Sequence, residues 1–535
     1  MIFLLSFFWY ARTVRALFFA LYLWQLKEYH IGRILDHFRT VKGKRLLFHP
    51  FVGIKILLLG LWFFYPEPAV LLLLSLYGGE TVLFANALRK GVLLLPVFTR
   101  KIIVLTFSVL AVQGLFLAGV IVLFPQSLFF SLLFFDLFSL LVGSAVVLLW
   151  QPVTVFWRKR ILAKAKEKRK KLQNLKVVGI TGSYGKTSTK EFLTHILGKK
   201  FVVLKTPEHK NSEMGISHTI LYDLVDEHQI FVCEMGAYNR GGIKLLADIV
   251  QPTLGIVTGI NEQHLATFGS GMNLFSAEGG GELVQALPQD GTLILNDDSK
   301  QLHELGLWLQ LWNPEFANYI WCSTKTQKDF FAKDIVVEKE KVSFVMSSQK
   351  GDTAEIKVSM AGGQSIIENI LLAAAAASKL GMSLSEIAEA LKDAPVQAGA
   401  LRLKKGKNDI DIIDSSYSAN PSGVVAALEY LQLWEGKKIV VMPSLIELGK
   451  ASYQVHVEIG RKIGETCDYA IITTKDQFAA LQRGATEKGM KEDHLLFLEN
   501  PQEVVSHIGK WTKKGDVVLL EGRVPKQLIV LLTKT

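Results

Sequence analysis

The sequence feature that most constrains the fold is the stretch GITGSYGKTSTKE at residues 179–191. Residues 177–180 are apolar and predict a buried strand, residues 182–185 predict a tight turn, and residues 187–197 carry apolar side chains at helical spacing. A strand, turn and helix in this order direct backbone N–H groups and a helix N-terminus at one point, which attracts an anion. The stretch therefore predicts a phosphate-binding loop.

The residues of this loop indicate which anion would bind. We predict a nucleotide phosphate, with Lys186 along the β- and γ-phosphates and the Thr187 hydroxyl as a ligand of Mg²⁺. Only the short core Gly-x-x-Gly-Lys-Thr is present, because Ile180 stands where the commonest phosphate loops carry Gly or Ala. A purely structural turn is the less favoured alternative. The predicted phosphate-binding residues are Gly182, Ser183, Tyr184, Gly185, Lys186, Thr187 and Ser188.

Charge is divided unevenly along the 535 residues. Residues 1–176 hold 23 Lys and Arg against 6 Asp and Glu, whereas the remainder holds 37 against 43. The basic charge therefore belongs to the first third and not to the part with the phosphate loop. A nucleic-acid enzyme would carry positive surface near its active site, so we predict no nucleic-acid partner. Cys233, Cys322 and Cys467 lack metal-ligand or redox spacing.

Residues 1–157 are predicted to form a membrane domain of four or five helices. Four long apolar segments suit bilayer-crossing helices of about 20 residues. They are residues 46–65, 69–88, 102–124 and 128–150. A fifth segment, residues 2–24, contains Arg12 and Arg15, each of which would cost about 3 kcal/mol at mid-bilayer. The sequence leaves open whether this segment spans the bilayer or lies in its interface.

The basic residues of the loops predict the orientation. Lys and Arg fill the loops at residues 27–45 and 89–101, whereas the turns at 66–68 and 125–126 carry none. The positive-inside rule places the basic loops in the cytosol, together with a basic linker at residues 158–175. The linker is expected to be a solvated helix that also contacts anionic lipid headgroups. We therefore predict a multi-pass protein of the cell membrane with cytoplasmic catalytic domains.

Three ionisable residues lie within the apolar runs. Lys55 and Glu80 would reach similar depths and are predicted to form a structural ion pair, with a transport role as the less favoured alternative. Asp136 has no partner that the sequence makes evident.

After the phosphate loop the chain alternates between strands and helices, which predicts an α/β fold in two units, residues 176–398 and 399–535. A hinge is predicted at residues 399–408, and Asn369 is expected to open an alanine-rich helix. Buried strands are predicted at residues 230–235, 255–259, 293–298, 410–414, 439–442, 469–473 and 517–521.

Two polar residues follow predicted strands of the first of these units. Ligands gather at the carboxyl ends of parallel strands, so Glu234 and His264 are predicted to complete a Mg²⁺ site begun by Thr187. A single histidine beside a strand is more often structural. Three such groups at strand ends of one domain favour the metal site.

Several stretches together resemble the Mur ligases and, within them, the D-Ala-D-Ala-adding branch, MurF. The phosphate loop resembles the ATP-binding signature of that family, and the other stretches follow in its order. They are KTPEHKNSEMGIS (205–217), residues 234–270, ENILLAAAAASKLG (368–381), IIDSSYSANPSGVVAAL (412–428) and LIELGKASYQVHVEIG (445–460). The resemblance implies a P-loop Mur ligase central domain and a Rossmann-like C-terminal domain. The membrane domain replaces the uridine-nucleotide-binding domain of soluble MurF.

The resemblance implies an ATP-dependent acid–amino-acid ligase of peptidoglycan precursor synthesis. A substrate carboxylate would attack the γ-phosphate, and an amine would displace phosphate from the acyl phosphate. The implied cofactors are ATP and Mg²⁺. The implied partners are a peptide or lipid-linked envelope precursor, an amino acid or D-Ala-D-Ala-type dipeptide, membrane lipids and other cell-wall enzymes. A degenerate nucleotide-binding scaffold and a poly-amino-acid ligase are the alternatives.

Residue roles carried over by position follow from the same resemblance. The implied catalytic residues are Lys186, Glu234 and His264. Thr187 and Glu234 would hold one Mg²⁺, and His264 would help with a second. Asn369 would face the adenine, and Asp414 the ribose or the hinge side of the nucleotide. Thr206 and Asn211 would line the acceptor side.

The sequence departs from the family pattern at four positions near the phosphates. The family usually has a carbamylated lysine where this chain has Gly280 or a neighbour of it. It usually has a hinge arginine, a second aspartate and a histidine where this chain has Ala400, Ser415 and Ser365. Each replacement removes charge or hydrogen bonding, and one contact to a phosphoryl group can contribute several kcal/mol in the transition state. Glu278 and Arg402 are the candidates to compensate.

Overall fold

In the computed structural model, the chain forms two compact units, residues 1–159 and 160–535. The structure describes residues 2–27, 29–47, 49–91, 93–312, 316, 318–396, 401–417 and 419–533. The described part of the first unit is helical, and the second unit is α/β. The predicted fold class is therefore confirmed.

The first unit is a bundle of apolar helices. Its described helices are α1 (Ile2–Leu26), α2 (Ile31–Arg39), α3 (Val41–Leu47), α4 (Pro50–Phe64), α5 (Pro66–Arg89), α6 (Arg100–Leu123), α7 (Leu128–Leu137) and α8 (Ser139–Leu149). Helix α9 (Gln151–Lys171) begins in this unit and continues into the second.

Four helical segments of the first unit are long and apolar enough to cross a bilayer. They are α1, Gly43–Phe64, α5 and α6. Helices α7 and α8 would together make a fifth, but they meet at 66°, so the prediction of one helix over residues 128–150 is wrong. Helix α5 begins at Pro66, so the predicted turn at residues 66–68 is the first helical turn, where proline is well tolerated.

Four charged side chains meet inside the first unit. Lys55 Nζ lies 2.8 Å from Glu80 Oε2 and 2.7 Å from Asp136 Oδ2. Arg12 Nε lies 2.9 Å from Glu80 Oε1, and its Nη1 lies 3.3 Å from Asp136 Oδ1. The predicted Lys55–Glu80 pair is confirmed, and Asp136, whose partner the sequence did not make evident, pairs with Lys55 and Arg12. Two cations and two anions thus cancel in an apolar interior, where an unpaired charge is costly.

The second unit begins with a large sheet and its helices. The strands are β1 (Lys176–Thr181), β2 (Val203–Lys205), β3 (Ile230–Glu234), β4 (Leu254–Val257), β5 (Thr292–Asn296), β6 (Tyr319–Ser323), β7 (Phe330–Val337), β8 (Val342–Ser348) and β9 (Thr353–Val358). The helices are α10 (Lys186–Leu197), α11 (Glu213–His218), α12 (Gly242–Val250), α13 (Leu265–Phe268), α14 (Gly271–Ala277), α15 (Gly281–Ala286), α16 (Lys300–Trp312), α17 (Gln364–Lys379) and α18 (Leu384–Leu391).

The order of this sheet is β2-β3-β1-β4-β5-β6-β7-β8-β9. Strands β1 to β7 pair in parallel, and β8 and β9 extend the sheet with antiparallel pairs. Helix α17 packs into the core beside the sheet, with all five alanines from Ala373 to Ala377 buried. It starts at Gln364, so Asn369 lies within the helix and does not open it as predicted.

A smaller sheet completes the second unit. Its strands are β10 (Arg402–Lys405), β11 (Asp411–Ser415), β12 (Lys438–Met442), β13 (Tyr469–Ile472), β14 (Leu495–Phe497) and β15 (Val517–Glu521). Its helices are α19 (Pro421–Tyr430), α20 (Ser452–Thr466), α21 (Phe478–Glu487), α22 (Pro501–Trp511) and α23 (Lys526–Leu532). The order is β10-β11-β15-β12-β13-β14, with only β10 antiparallel among the described strands.

The predicted linker and hinge differ from expectation in part. Leu162 and Ala165 of α9 are buried in the core under the large sheet, so this helix is not solvated on every face. Arg169 is 6% exposed and donates hydrogen bonds to the carbonyl oxygens of Val250 and Leu175. Part of the predicted hinge, including Gly399 and Ala400, lies outside the described residues, and Arg402 is exposed on β10.

Candidate functional site

The phosphate loop joins β1 to α10, as predicted. Gly182 has φ of +135° and Gly185 has φ of +77°, conformations that residues with a side chain rarely adopt. A Cβ atom on Gly182 would also lie 2.3 Å from Thr258 Oγ1, so only glycine fits there. The loop leads directly into α10, because Gly185 is the N-cap of that helix. Helix α10 has 12 residues, and its N-terminus carries the partial positive charge that favours an anion.

The side chains of the loop differ in their surroundings. Lys186 Nζ donates to the carbonyl oxygens of Gly182 and Ser183, which keeps the ammonium group over the loop. The Tyr184 ring packs closely against Gly259, at the end of β4. Ser188 is half-buried in the first turn of α10. Lys186 is thus the cation placed at the predicted phosphate position.

Glu234, the last residue of β3, has a carboxylate with three polar partners. Thr187 Oγ1 donates to Glu234 Oε2 over 3.0 Å, and Asn211 Nδ2 donates to Oε1 over 2.9 Å. Lys190 Nζ lies 3.2 Å from Oε2 and is fully buried. Burial alone would raise the pKa of Glu234, but the charges of Lys190 and Lys186 outweigh it and lower the pKa. The carboxylate is therefore ionised beside the loop.

The structure places the two predicted acceptor-side residues against this same glutamate. The Thr206 hydroxyl is fully buried and accepts a hydrogen bond from the backbone N–H of Glu234. The backbone carbonyl oxygen of Asn211 accepts from the N–H of Gly236, so the side chain and the backbone of Asn211 together hold Glu234 and the segment that follows β3. These contacts support Glu234, and a role on the acceptor side stays a prediction for both residues.

His264 belongs to a second group of side chains on the other side of the loop. Its Nδ1 lies 2.9 Å from Glu278 Oε1, and the Ser183 hydroxyl donates to Glu278 Oε2 over 2.6 Å. Burial would raise the pKa of Glu278, but the neighbouring His264 outweighs it and the pKa is lowered. Gly280 has φ of +89°, and a Cβ atom there would lie 2.6 Å from Val257 Cγ2. Gly280 has no side chain to contribute, and Glu278 supplies the carboxylate in this part of the site.

The residues beside the loop fit a magnesium ion only in part. The hydroxyl of Thr187 and the carboxylate of Glu234 are in contact, and oxygen atoms of these kinds are the ligands that Mg²⁺ prefers. Among the residues that the structure describes, no three His, Cys, Asp or Glu side chains converge as a metal site. The protein would therefore supply two or three ligands, and phosphate oxygens and water would complete the shell, which is common for Mg²⁺.

The two predicted nucleotide contacts outside the loop have partners of their own. Asn369 Oδ1 accepts from Thr189 Oγ1 on α10 over 3.1 Å, so this amide oxygen braces the phosphate loop. Asp414 pairs with Lys404 at 2.7 Å and accepts from Ser416. Burial would raise the pKa of Asp414, and the hydrogen bonds from Lys404 and Ser416 lower it overall. A base or ribose contact stays a prediction for both residues.

Contacts that the sequence did not indicate join the two sheets of the second unit beside the site. Asn261 Nδ2 donates to Asn420 Oδ1 over 2.9 Å and to Ser422 Oγ over 3.1 Å. Tyr417 Oη donates to Glu208 Oε1 over 3.0 Å. The signal available for Asn420 was its position before Pro421, which is typical of a helix N-cap. The site therefore includes residues of both domains.

The fold and the site define a class of protein. A parallel sheet, a phosphate loop with a lysine and a threonine, and a carboxylate at the end of the neighbouring strand are typical of P-loop nucleotide-binding proteins. Helix α19, which packs in the part of the unit with the second sheet, supplies Asn420 and Ser422 beside the same site.

The comparisons identify the family within that class. The family description "Mur ligase middle domain" matches residues 180–377, and "Mur ligase, glutamate ligase domain" matches residues 401–524. The chain belongs to the Mur ligase family, whose members are ATP-dependent ligases. The predicted resemblance and the predicted enzyme class are confirmed.

Several of the similar proteins are named as enzymes of one branch. The UDP-N-acetylmuramoyl-tripeptide–D-alanyl-D-alanine ligase of Bacillus subtilis is 28% identical over 65% of this chain and 72% of its own length. The crystal structure of MurF from Acinetobacter baumannii is 27% identical, with a TM-score of 0.62 over 70% of this chain and 80% of that one. MurF of Thermotoga maritima, solved with ADP, shares the fold at 24% identity and a TM-score of 0.60.

Proposed function

We propose that this protein is a membrane-anchored MurF-like ligase that joins an amino acid or a D-Ala-D-Ala-type dipeptide to the carboxylate of a peptidoglycan precursor. The contact of Thr187 with Glu234 beside Lys186 carries the proposal, because it assembles a cation and two oxygen ligands at the phosphate loop. The names of the similar ligases support the choice of a dipeptide as the amine.

The proposed reaction has two steps. A carboxylate oxygen of the acceptor attacks the γ-phosphorus of ATP, the bond to the bridging oxygen breaks, and ADP leaves. The amine nitrogen then attacks the acyl carbon, the bond to phosphate breaks, and the amine loses one proton as phosphate leaves. Such chemistry depends on charge neutralisation and on positioning, and it needs no covalent bond to the enzyme.

The residues of the site have different roles in this reaction. Lys186 and the N-terminus of α10 neutralise charge on the phosphoryl group being transferred. Thr187 and Glu234 would hold Mg²⁺, with His264 as a ligand for a second ion, and the metal would supply further charge neutralisation. Asn369 and Asp414 are proposed to contact the base and the ribose side. Thr206 and Asn211 hold Glu234 and are proposed to line the acceptor side of the site.

We further propose that residues 1–157 anchor the catalytic domains, residues 176–398 and 399–535, to the cytoplasmic face of the cell membrane. The length and apolarity of the helices support the anchor. The acceptor would be a UDP-linked or a lipid-linked muropeptide, two substrates that share the same reacting carboxylate. Anionic lipids and other cell-wall enzymes are the proposed partners.

The test is phosphate release by the full-length protein in detergent. We expect release with Mg²⁺ and ATP only when an acceptor and D-Ala-D-Ala are both present, with UDP-muramoyl tripeptide and lipid-linked muropeptide offered in separate reactions. Lys186→Ala removes the cation over the loop and should lower the rate by about 10²–10³-fold. Lys392→Ala is the matched control, because that side chain is 65% exposed and pairs with Glu389.

Other outcomes would favour the alternatives. Binding of Mg²⁺–ATP without phosphate release would favour a nucleotide-binding scaffold, for which the loss of the family lysine at Gly280 is the specific observation. Turnover that depends on an amino acid but not on a muropeptide would favour a poly-amino-acid ligase. Full coupled turnover by Lys186→Ala would contradict the proposed role of the phosphate loop.

A further inference from the structure

Glu278 connects two parts of the site that come from different segments of the chain. It follows α14, and its side chain is 1% exposed. One carboxylate oxygen accepts from Ser183 in the phosphate loop, and the other contacts His264 after β4. A buried carboxylate is costly unless donors surround it, so these two contacts are what make this position possible.

The contact with Glu278 restricts the protonation of His264. A carboxylate oxygen accepts hydrogen bonds, so the 2.9 Å contact of Glu278 Oε1 with Nδ1 favours a proton on Nδ1 of the imidazole. The neutral ring then has its lone pair on Nε2, and within the described part of the chain Nε2 has no hydrogen-bond partner. The Tyr238 ring stands edge-on to the imidazole at 5.8 Å between centroids, which limits its rotation.

We propose that Glu278 is a positioning residue that holds His264 in the Nδ1–H tautomer and so presents Nε2 as a ligand for a divalent cation at the phosphate loop. A carboxylate that fixes the tautomer of a metal-binding histidine is a common arrangement, and its loss typically costs 10–100-fold in metal affinity. The inference rests on the proposed function, because that function is what brings Mg²⁺ and nucleotide to the loop. The inference adds Glu278 to the site of the proposed function and gives it the role of positioning His264.

A second buried glutamate lies close to Glu278 in sequence and serves as a comparison. The chain continues from Glu278 through Gly279 to Gly280, whose positive φ begins helix α15. Carboxylate Glu282, four residues further on, is also buried, but it caps helix α12 through the N–H groups of Gly241 and Lys244. Glu282 therefore provides a buried glutamate close in sequence whose contacts are away from His264.

The first experiment measures the tautomer directly. The full-length protein, labelled with ¹⁵N-histidine and held in detergent without metal, is compared by NMR with Glu278→Ala, Glu278→Gln and Glu282→Ala, and His264→Gln assigns the signal. We expect the Nδ1–H form in the wild type and in Glu282→Ala, and its loss in Glu278→Ala. Glu278→Gln keeps an acceptor oxygen and should keep the tautomer, which separates positioning from a folding defect.

The second experiment uses Mn²⁺ with ADP and detects nitrogen from the labelled histidine by pulsed electron paramagnetic resonance. We expect a histidine nitrogen coupling in the wild type, its absence in His264→Gln, and an affinity of that Mn²⁺ that falls 10–100-fold in Glu278→Ala. Glu282→Ala should retain the coupling, although its melting temperature falls.

The results that would overturn the inference are specific. An unchanged tautomer in Glu278→Ala, or Mn²⁺ bound with ADP but without histidine nitrogen coupling in the wild type, would contradict it. Failure of the wild type to bind Mn²⁺–ADP at all would instead contradict the proposed function. The tautomer comparison would then still decide whether Glu278 positions His264.

Discussion

Lys190 is the residue whose environment is hardest to explain by stability alone. It lies one turn after Lys186 on α10, is fully buried, and has Glu234 and Glu191 as its ion-pair partners, at 3.2 and 3.4 Å. Burying a lysine is costly unless its charge is compensated. The contact with Glu234 explains why a lysine is buried here. The charge of Lys190 lowers the pKa of Glu234 and keeps this carboxylate ionised beside the phosphate loop.

Lys190→Met should therefore affect both stability and catalysis. The change leaves Glu234 without its buried counter-charge, and breaking a buried pair in this way costs about 3–5 kcal/mol. We expect a lower melting temperature of the full-length protein in detergent and weaker binding of Mg²⁺–ATP. The matched control is Lys199→Met, an exposed partner of Asp393, which should cost at most about 1 kcal/mol. Equal melting temperatures for both variants would show that the ion pair of Lys190 with Glu234 does not contribute to the stability of the folded protein.

At the residue level, the sequence predicted positions better than partners. Glu234 ends its strand and His264 follows the next one, as predicted, because apolar runs mark strand ends well. The supporting contacts of Thr206 and Asn211 with Glu234 could not be predicted, because they depend on the packing of β2 against β3. Side-chain partners distant in sequence leave no periodic signal.

At the level of secondary structure, the broken helix of the first unit shows the same limit. Residues 128–150 are mostly apolar, and hydropathy averages over the break at Phe138 between α7 and α8. Strands β7, β8 and β9 were not predicted either, because each mixes apolar with polar residues and so lacks a continuous apolar run. The strand, turn and helix of the phosphate loop were predicted correctly, since its residues specify all three together.

Asp136 lies at the end of α7, just before the break, and its charge ties this helix to the bundle. Asp136→Leu would leave Lys55 and Arg12 to share Glu80, so one buried cation would lack a partner, at a cost of about 3–5 kcal/mol. We expect Asp136→Leu to lower the thermal midpoint of the detergent-solubilised protein. The midpoint is measured by size-exclusion chromatography of heated samples.

A paired substitution tests whether charge balance is the cause. Lys55→Leu with Asp136→Leu removes one charge of each sign and leaves the Arg12–Glu80 contact at 2.9 Å. The double variant should be more stable than Asp136→Leu alone. Glu67→Leu, an exposed acid at the start of α5, is the control and should change little. A double variant as unstable as the single one would mean that packing, and not charge balance, holds α7.

At the level of the whole molecule, the charge distribution and the helices together predict how the chain lies in a membrane. Basic residues concentrate in the loops at residues 27–45 and 89–101 and in α9, whereas the turn at residues 125–126 has none. Moving cationic loops across a membrane is disfavoured, so both basic loops and α9 should lie on one side. Composition alone allowed this prediction, because orientation depends on counts of Lys and Arg and not on packing.

A reporter that is active only in the cytoplasm tests this orientation in cells. Fused after Thr535, it should be active, because the second unit follows basic helix α9 on the same side as ATP. Inserted after Gln126, in the turn without Lys or Arg, the same reporter should be inactive and an external reporter active. Activity of the external reporter at Thr535 would place the phosphate loop away from its nucleotide, so it would contradict the orientation and the proposed ligase function together.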